Sequence, residues 1–197
     1  MTASAGQLEA IRAALHPVLG DRVGDGTADV TPYRVPGLPV DGVWRVRYED
    51  ADHPLQTYVG LWPDGAARIL TDDQPAFLDL CAASGVRIGD PGVALGYILA
   101  FLEVTRGPQV IVRVITDAAD IRWRPGTQDE EARRRAFLVE APIRPPSSEP
   151  TGVGFRIELW LVVDQRIQLN TFDVGRDGVM STDYRIVAAD LPLPIAR

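Results

Sequence analysis

Lysine is missing from this chain: all twenty basic residues among its 197 are arginines. The absence excludes every chemistry that needs an ammonium side chain. A lysine Schiff base, a phosphate-loop or kinase-type lysine and a desolvated catalytic amine are all ruled out, leaving the N-terminal amine as the one candidate amine. Any anion the protein recognises must meet a guanidinium, a backbone amide or a histidine. Asparagine is nearly absent too, with Asn170 alone, while Ala, Gly, Pro, Arg, Val and Asp dominate. That balance is the mark of a GC-rich coding sequence, so the missing lysine points to genome composition before it points to function.

Cysteine and histidine are scarce. Cys81 stands alone, so no intrachain disulfide can form, which fits a reducing compartment. His16 sits at an expected helix end, and His53 in the acidic turn 49–53. A nucleophile needs a base beside it, and Cys81 falls on an expected buried helical face, where a thiol acts as a small inert hydrophobe. The five serines, at 4, 84, 147, 148 and 181, lie outside any Gly-x-Ser-x-Gly elbow. One cysteine and two distant histidines reach four zinc ligands only with carboxylate help. Asp173-x-Gly175-x-Asp177-Gly178 opens like a calcium loop, but Gly175 stands at the third position and Tyr184 at the twelfth, where oxygen ligands are needed. Gly85, Gly89, Gly92 and Gly96 do not follow the dinucleotide spacing. We therefore expect no catalytic set, no metal site and no cofactor.

Long apolar runs are lacking. The longest, Val93 to Val104, is interrupted by Glu103 and falls short of the roughly 20 residues that cross a bilayer. Residues 1–6 carry neither a basic nor an apolar leader pattern, so no secretory signal is expected. The formal charge of −7 argues against nucleic acid or an anionic membrane as the main partner. A soluble cytoplasmic protein is the expectation.

What is present reads as one α+β domain over residues 1–197. A hydrophobic fraction of 46% with 24% charged residues is globular and excludes wholesale disorder. Leu8, Ile11 and Leu15 make a helical stripe over 7–16, which Pro17 is expected to fray at His16. Residues 20–42, rich in Gly, Pro and Asp, read as irregular or at most a few short extended pieces, and 144–153, rich in Pro, Ser and Gly, as a loop. Trp44, Val46 and Tyr48 alternate with Arg45, Arg47 and Glu49 as a strand, and Pro63-Asp64-Gly65 turns a hairpin between 58–62 and 66–71. Asp72 or Asp73 with Pro75 opens a helix that Gly85 ends, and Asp90-Pro91 opens a second, strongly apolar one closed by Gly107-Pro108. Residues 109–116 read as a mostly buried strand, and 121–124 as a short one. Thr127-x-x-Glu130 is a capping box for a short solvated helix, in which Asp129, Glu130 and Glu131 precede Arg133, Arg134 and Arg135 by four residues. Residues 137–143 extend that helix or form a strand, and the prolines that fence them favour the strand.

The C-terminal part is the clearest β signal. Phe155, Ile157, Leu159, Leu161 and Val163 alternate, Asp164-Gln165-Arg166 turns the chain, and 167–174 and 179–188 complete a meander. A change of apolar parity between Leu169 and Phe172 predicts a β-bulge. Gln56-Thr57-Tyr58 before Asp64-Gly65 echoes Asn170-Thr171-Phe172 before Asp177-Gly178, as a duplicated hairpin unit would or, more simply, recurring hairpin grammar. The expected fold is a mainly antiparallel sheet ending in this meander, with about three helices packed on one face.

Two functional readings follow. The first is a non-enzymatic interaction module that works with a protein partner or as a homo-oligomer, through a sheet edge in one version. The second is a small-ligand-binding protein or an enzyme that takes an anionic ligand in an arginine/carboxylate pocket, because guanidinium forks suit carboxylates and phosphates. Its candidate residues are Arg113, Glu103, Trp123, Arg45 and Arg47. Arg113 stands out as a charge inside an apolar strand. For Glu103 the plainer expectation is a pair with Arg106. For the sheet arginines it is cross-strand pairing to Glu49, Glu158 and Asp183.

Overall fold

The computed structural model describes residues 3–39, 41–48, 55–140 and 143–194. Among these residues the chain is α+β: five α-helices, and two antiparallel sheets of four and five strands, the second ending in the C-terminal meander. Among the described residues no helix is long and apolar enough to cross a membrane. Contacts divide the described residues into two compact units. The first draws on 1–89, 96–106 and 176–179, and the second on 90–95, 107–175 and 180–197.

In the first unit, β1 (Asp29–Tyr33), β2 (Val43–Tyr48), β3 (Leu55–Leu61) and β4 (Ala67–Ile69) form a meander in chain order. Alternation sorts its residues by face. Trp44, Val46 and Val59 are buried against Ile11 and Leu15, which belong to the stripe of α1 (Ala5–Ala14). Ser4 caps α1 in a capping box with Gln7. The helix stops where expected, but the chain turns helical again at once, as α2 (Pro17–Gly24). A proline at the first helical position surrenders an amide that had no helical partner, so Pro17 starts a helix as well as ending one. The segment 20–42 is accordingly less irregular than its composition suggests, holding the end of α2 and all of β1.

The opposite face of this sheet carries Arg45, Tyr58 and Gly60. Here α3 (Gln74–Ala83), capped by Asp73 through the Ala76 amide, comes so close that a Cβ on Gly60 would lie 2.8 Å from Leu80 Cδ2. Phe77 of α3 meets Tyr97 and Phe101 of α4 (Pro91–Val104) with ring centroids 5.7 and 5.6 Å apart.

In the second unit, β7 (Gly154–Val163), β8 (Arg166–Gly175) and β9 (Met180–Ala188) form the meander. Both β5 (Val112–Ile115) and β6 (Ser147–Pro150) pair with β7, on the side away from β8. The 144–153 loop thus contains a strand. Residues 121–124 pair in no ladder, although Ile121 is buried. The reading of 137–143 as a strand is corrected: α5 (Gln128–Glu140) runs through Phe137 to Glu140. Phe137 belongs to a core with Ile115, Ile121, Trp160, Val162, Ile167, Leu191 and Leu193, and this burial extends the helix toward the proline fence. The capping box forms, Thr127 N donating to Glu130 Oε2 at 2.7 Å and Glu130 N to Thr127 Oγ1 at 3.3 Å.

The β-bulge is also displaced. The β7–β8 ladder runs without interruption through Leu169 to Phe172, and the register shifts at Ile167/Gln168, where β9 inserts Val187. The parity change has another cause. Ile167 packs in the α5 core on one face, whereas Phe172 and Val174 are buried on the other, so the strand exchanges its apolar face without a bulge.

Two turn glycines give a graded test. Gly37 has φ +84°, and a Cβ there would stand 2.7 Å from the Arg87 carbonyl oxygen; Gly65 has φ +88° in open space. Gly65→Ala carries the left-handed backbone cost alone, about 1–2 kcal/mol. Gly37→Ala adds a clash with backbone that cannot swing away, and loses about 1–3 kcal/mol more. Urea unfolding of both variants checks the order, and equal losses would contradict it.

Candidate functional site

The first unit brings together three of the residues singled out in the sequence. Glu103, near the end of α4, accepts a hydrogen bond on Oε1 from the Tyr58 hydroxyl at 2.8 Å and a longer one from Gln56 Nε2 at 3.4 Å. Arg106 Nη2 lies 3.7 Å from the same oxygen, the expected pair. Tyr58 stands edge-on to Tyr33, with centroids 5.1 Å apart. Arg45 is in register with both Thr31 and Tyr58, and its Nη2 donates to Thr31 Oγ1 at 3.3 Å. Its Nε is buried without a partner. Arg47, exposed, continues the row opposite Asp29 and Gln56.

Burial pushes the Tyr58 phenol up, and its bond to the Glu103 carboxylate pushes it further. Tyr33 moves the same way, chiefly by burial, with Glu103 raising and Arg45 lowering it. Both phenols therefore stay protonated at neutral pH. Tyr58 is a fixed donor that orients Glu103, and this network reads as a polar brace over the sheet.

Arg113 and Trp123 lie in the second unit. Arg113 sits on β5 opposite Val162 and is half-buried; its strand is more open than its apolar sequence suggests, which relaxes the demand for a buried counter-ion. Trp123 packs on Phe137 at 6.4 Å, with the Arg134 guanidinium 5.0 Å above its ring. Arg124 joins Glu130 at 2.7 Å. The i,i+4 pairs expected along α5 are replaced: Arg134 meets Glu131 at i,i+3, and Arg133 Nε donates to the Asp190 carbonyl oxygen at 3.0 Å. On the sheet, Arg156 makes a two-point bond to Asp173 (2.9 and 3.1 Å), and Glu158 pairs with Arg144 at 2.7 Å. Glu49 and His53 fall outside the described residues.

Two features of the second unit were not singled out in the sequence. One is a cleft of about 450 Å³ between α5 and the end of β9, where Arg133, Glu140 and Arg185 surround Phe137, Val187 and Leu191. Arg133, Phe137 and Glu140 share a helix face at i, i+4 and i+7, a signal that exists only once 137–140 is helical. The other is the outer edge of β9, the last strand of its sheet. Along it Tyr184 is 56% exposed and Ile186 44%. No family model matches the chain, and neither a curated protein nor a solved structure matches it.

Cys81 is buried, beside Tyr97, and burial raises its thiol to about 12. A thiol protonated more tightly in the folded than in the unfolded chain stabilises the fold fully below its unfolded value of about 8.5, and that contribution fades as pH rises toward 12. Stability measured by urea unfolding should hold to about pH 8.5 and then decline. Cys81→Ala should flatten the onset of that decline, and Tyr58→Phe its continuation above about pH 10. An unchanged pH profile in Cys81→Ala would contradict this.

Proposed function

We propose that the chain is a non-catalytic interaction module whose contact surface is the outer edge of β9. The supporting observation is a comparison of strand ends. Edge strands are ordinarily kept from pairing by shortness, proline or lysine. Among the described residues, β4 has three residues and β5 four, β6 has four with Pro150, and β1 has five with Pro32. By contrast, β9 has nine residues, no proline and, in a chain without lysine, only Asp183 and Arg185 as charges. An extended partner adding to this edge would gain main-chain hydrogen bonds, with alternate side chains setting specificity.

A selection of phage-displayed random peptides against the protein tests this reading. Enriched peptides should slow amide exchange at Thr182, Tyr184 and Ile186, and should lose binding to Tyr184→Pro. A selection that enriches nothing, or peptides that protect other segments, would contradict it.

The cleft beside α5 supports a second reading. Two guanidiniums and a carboxylate above an apolar floor suit a small amphipathic carboxylate, and the volume lies in the range of small-molecule sites. An aryl or acyl carboxylate should raise Tm, and Arg185→Ala should abolish the rise. A panel of such acids that leaves Tm unmoved would dispose of this reading.

A further inference from the structure

We infer that the partner of the β9 edge is a second copy of the same edge, paired antiparallel about a two-fold axis at Tyr184. The inference rests on the reading of β9 as the contact surface and adds its occupant.

Hydrogen-bond parity shows which residues of β9 face outward. The β7–β8 hairpin has a two-residue loop, Asp164-Gln165, so Val163 and Arg166 form its closing hydrogen-bonded pair. Even-numbered residues of β8 then bond β7, and odd-numbered ones bond β9. Leu169 is in register with Arg185, and Thr171 with Asp183, so Asp183 and Arg185 direct their backbone groups at β8. Thr182, Tyr184 and Ile186 direct theirs away. An independent contact agrees: the Tyr184 amide donates to Asp183 Oδ1 at 2.8 Å, a bond open to an amide that β8 does not use.

The sequence of this edge is self-complementary. With the axis at Tyr184, Asp183 of each copy falls opposite Arg185 of the other, giving two reciprocal ion pairs. Tyr184 meets its own copy, and Thr182 meets Ile186. In this new ladder the outward residues form the hydrogen-bonded pairs. Asp183 and Arg185 therefore occupy the non-hydrogen-bonded positions, where opposing side chains come closest. Pairing from Thr182 to Ile186 would add about six backbone hydrogen bonds, two for each of three hydrogen-bonded pairs. It would end where Val187 bulges from β9. Asp183 has two roles in this scheme. It caps the Tyr184 amide while the edge is free. On pairing, the Tyr184 carbonyl of the other copy takes that amide, and the carboxylate moves to the opposing arginine.

The other registers lack this match. An axis at Asp183 sets Asp183 against itself, and one at Arg185 sets Arg185 against itself; like charges directly opposite are destabilising. Charge thus selects one register of self-pairing.

A charge-swap series read by sedimentation equilibrium tests the inference. The wild type should dimerise. Asp183→Arg and Arg185→Asp, each placing like charges opposite, should raise the dissociation constant about tenfold or more. The double variant, which restores opposite charges in reverse order, should recover most of the dimer. Tyr184→Pro, which removes an amide that β8 does not use, should fold and stay monomeric. A monomeric wild type that still takes selected peptides on β9 would overturn the second copy as occupant and leave the edge reading standing. A monomer that takes no peptide would overturn both. A dimer indifferent to the charge swaps and to Tyr184→Pro would place its interface elsewhere and refute the inference.

Discussion

Each backbone amide and carbonyl of a strand needs a partner, and the last strand of an open sheet finds partners on one side alone. In this protein that constraint falls most heavily on β9. The sheet of the first unit ends in a three-residue strand and in one bearing Pro32, and the far side of β7 is divided between two four-residue strands. Every second residue along the nine of β9 is left with outward backbone groups, with side chains largely exposed and no proline to interrupt the row. Water can serve these groups, but the edge remains a template for another strand.

Lysine scarcity sharpens the constraint. A lysine on an edge projects a flexible charge that opposes pairing without offering a rigid partner. The two charges on β9 have opposite sign and stand two residues apart, so they oppose self-pairing about Asp183 or Arg185 and favour it about Tyr184. Asp183 shows the compromise in a single contact, capping its neighbour's amide and so satisfying the free edge. The lack of lysine thereby leaves a structural consequence in the strand least able to hide it.

Much of this architecture was legible in the residues. Strand alternation located β2, β3, β7, β8 and β9, while the turns, the Asp73 cap and the Thr127–Glu130 box followed from local chemistry that tertiary packing did not override. The departures share a cause. Pro17 and the proline fence after Phe137 point to breakers, but a proline is neutral at a helix start, and Phe137 on the helix joins a buried core. The parity change in β8 predicts a bulge for a strand that keeps one apolar face. With both faces buried in turn, no bulge was needed. Of the candidate residues, Glu103 and Arg45 meet around Tyr33 and Tyr58, while Arg113 and Trp123 serve the second unit. The edge of β9 escaped attention because being last in a sheet is a property of topology, and a meander can continue into another strand.

Amide exchange at Tyr184, followed as a function of protein concentration, tests the central claim most directly. If β9 pairs with its own copy, that amide exchanges rapidly in dilute solution and slows as concentration rises, together with those of Thr182 and Ile186. The amides of Asp183 and Arg185, already bonded to β8, should be slow throughout. Exchange at Tyr184 that stays fast at every concentration would contradict the account.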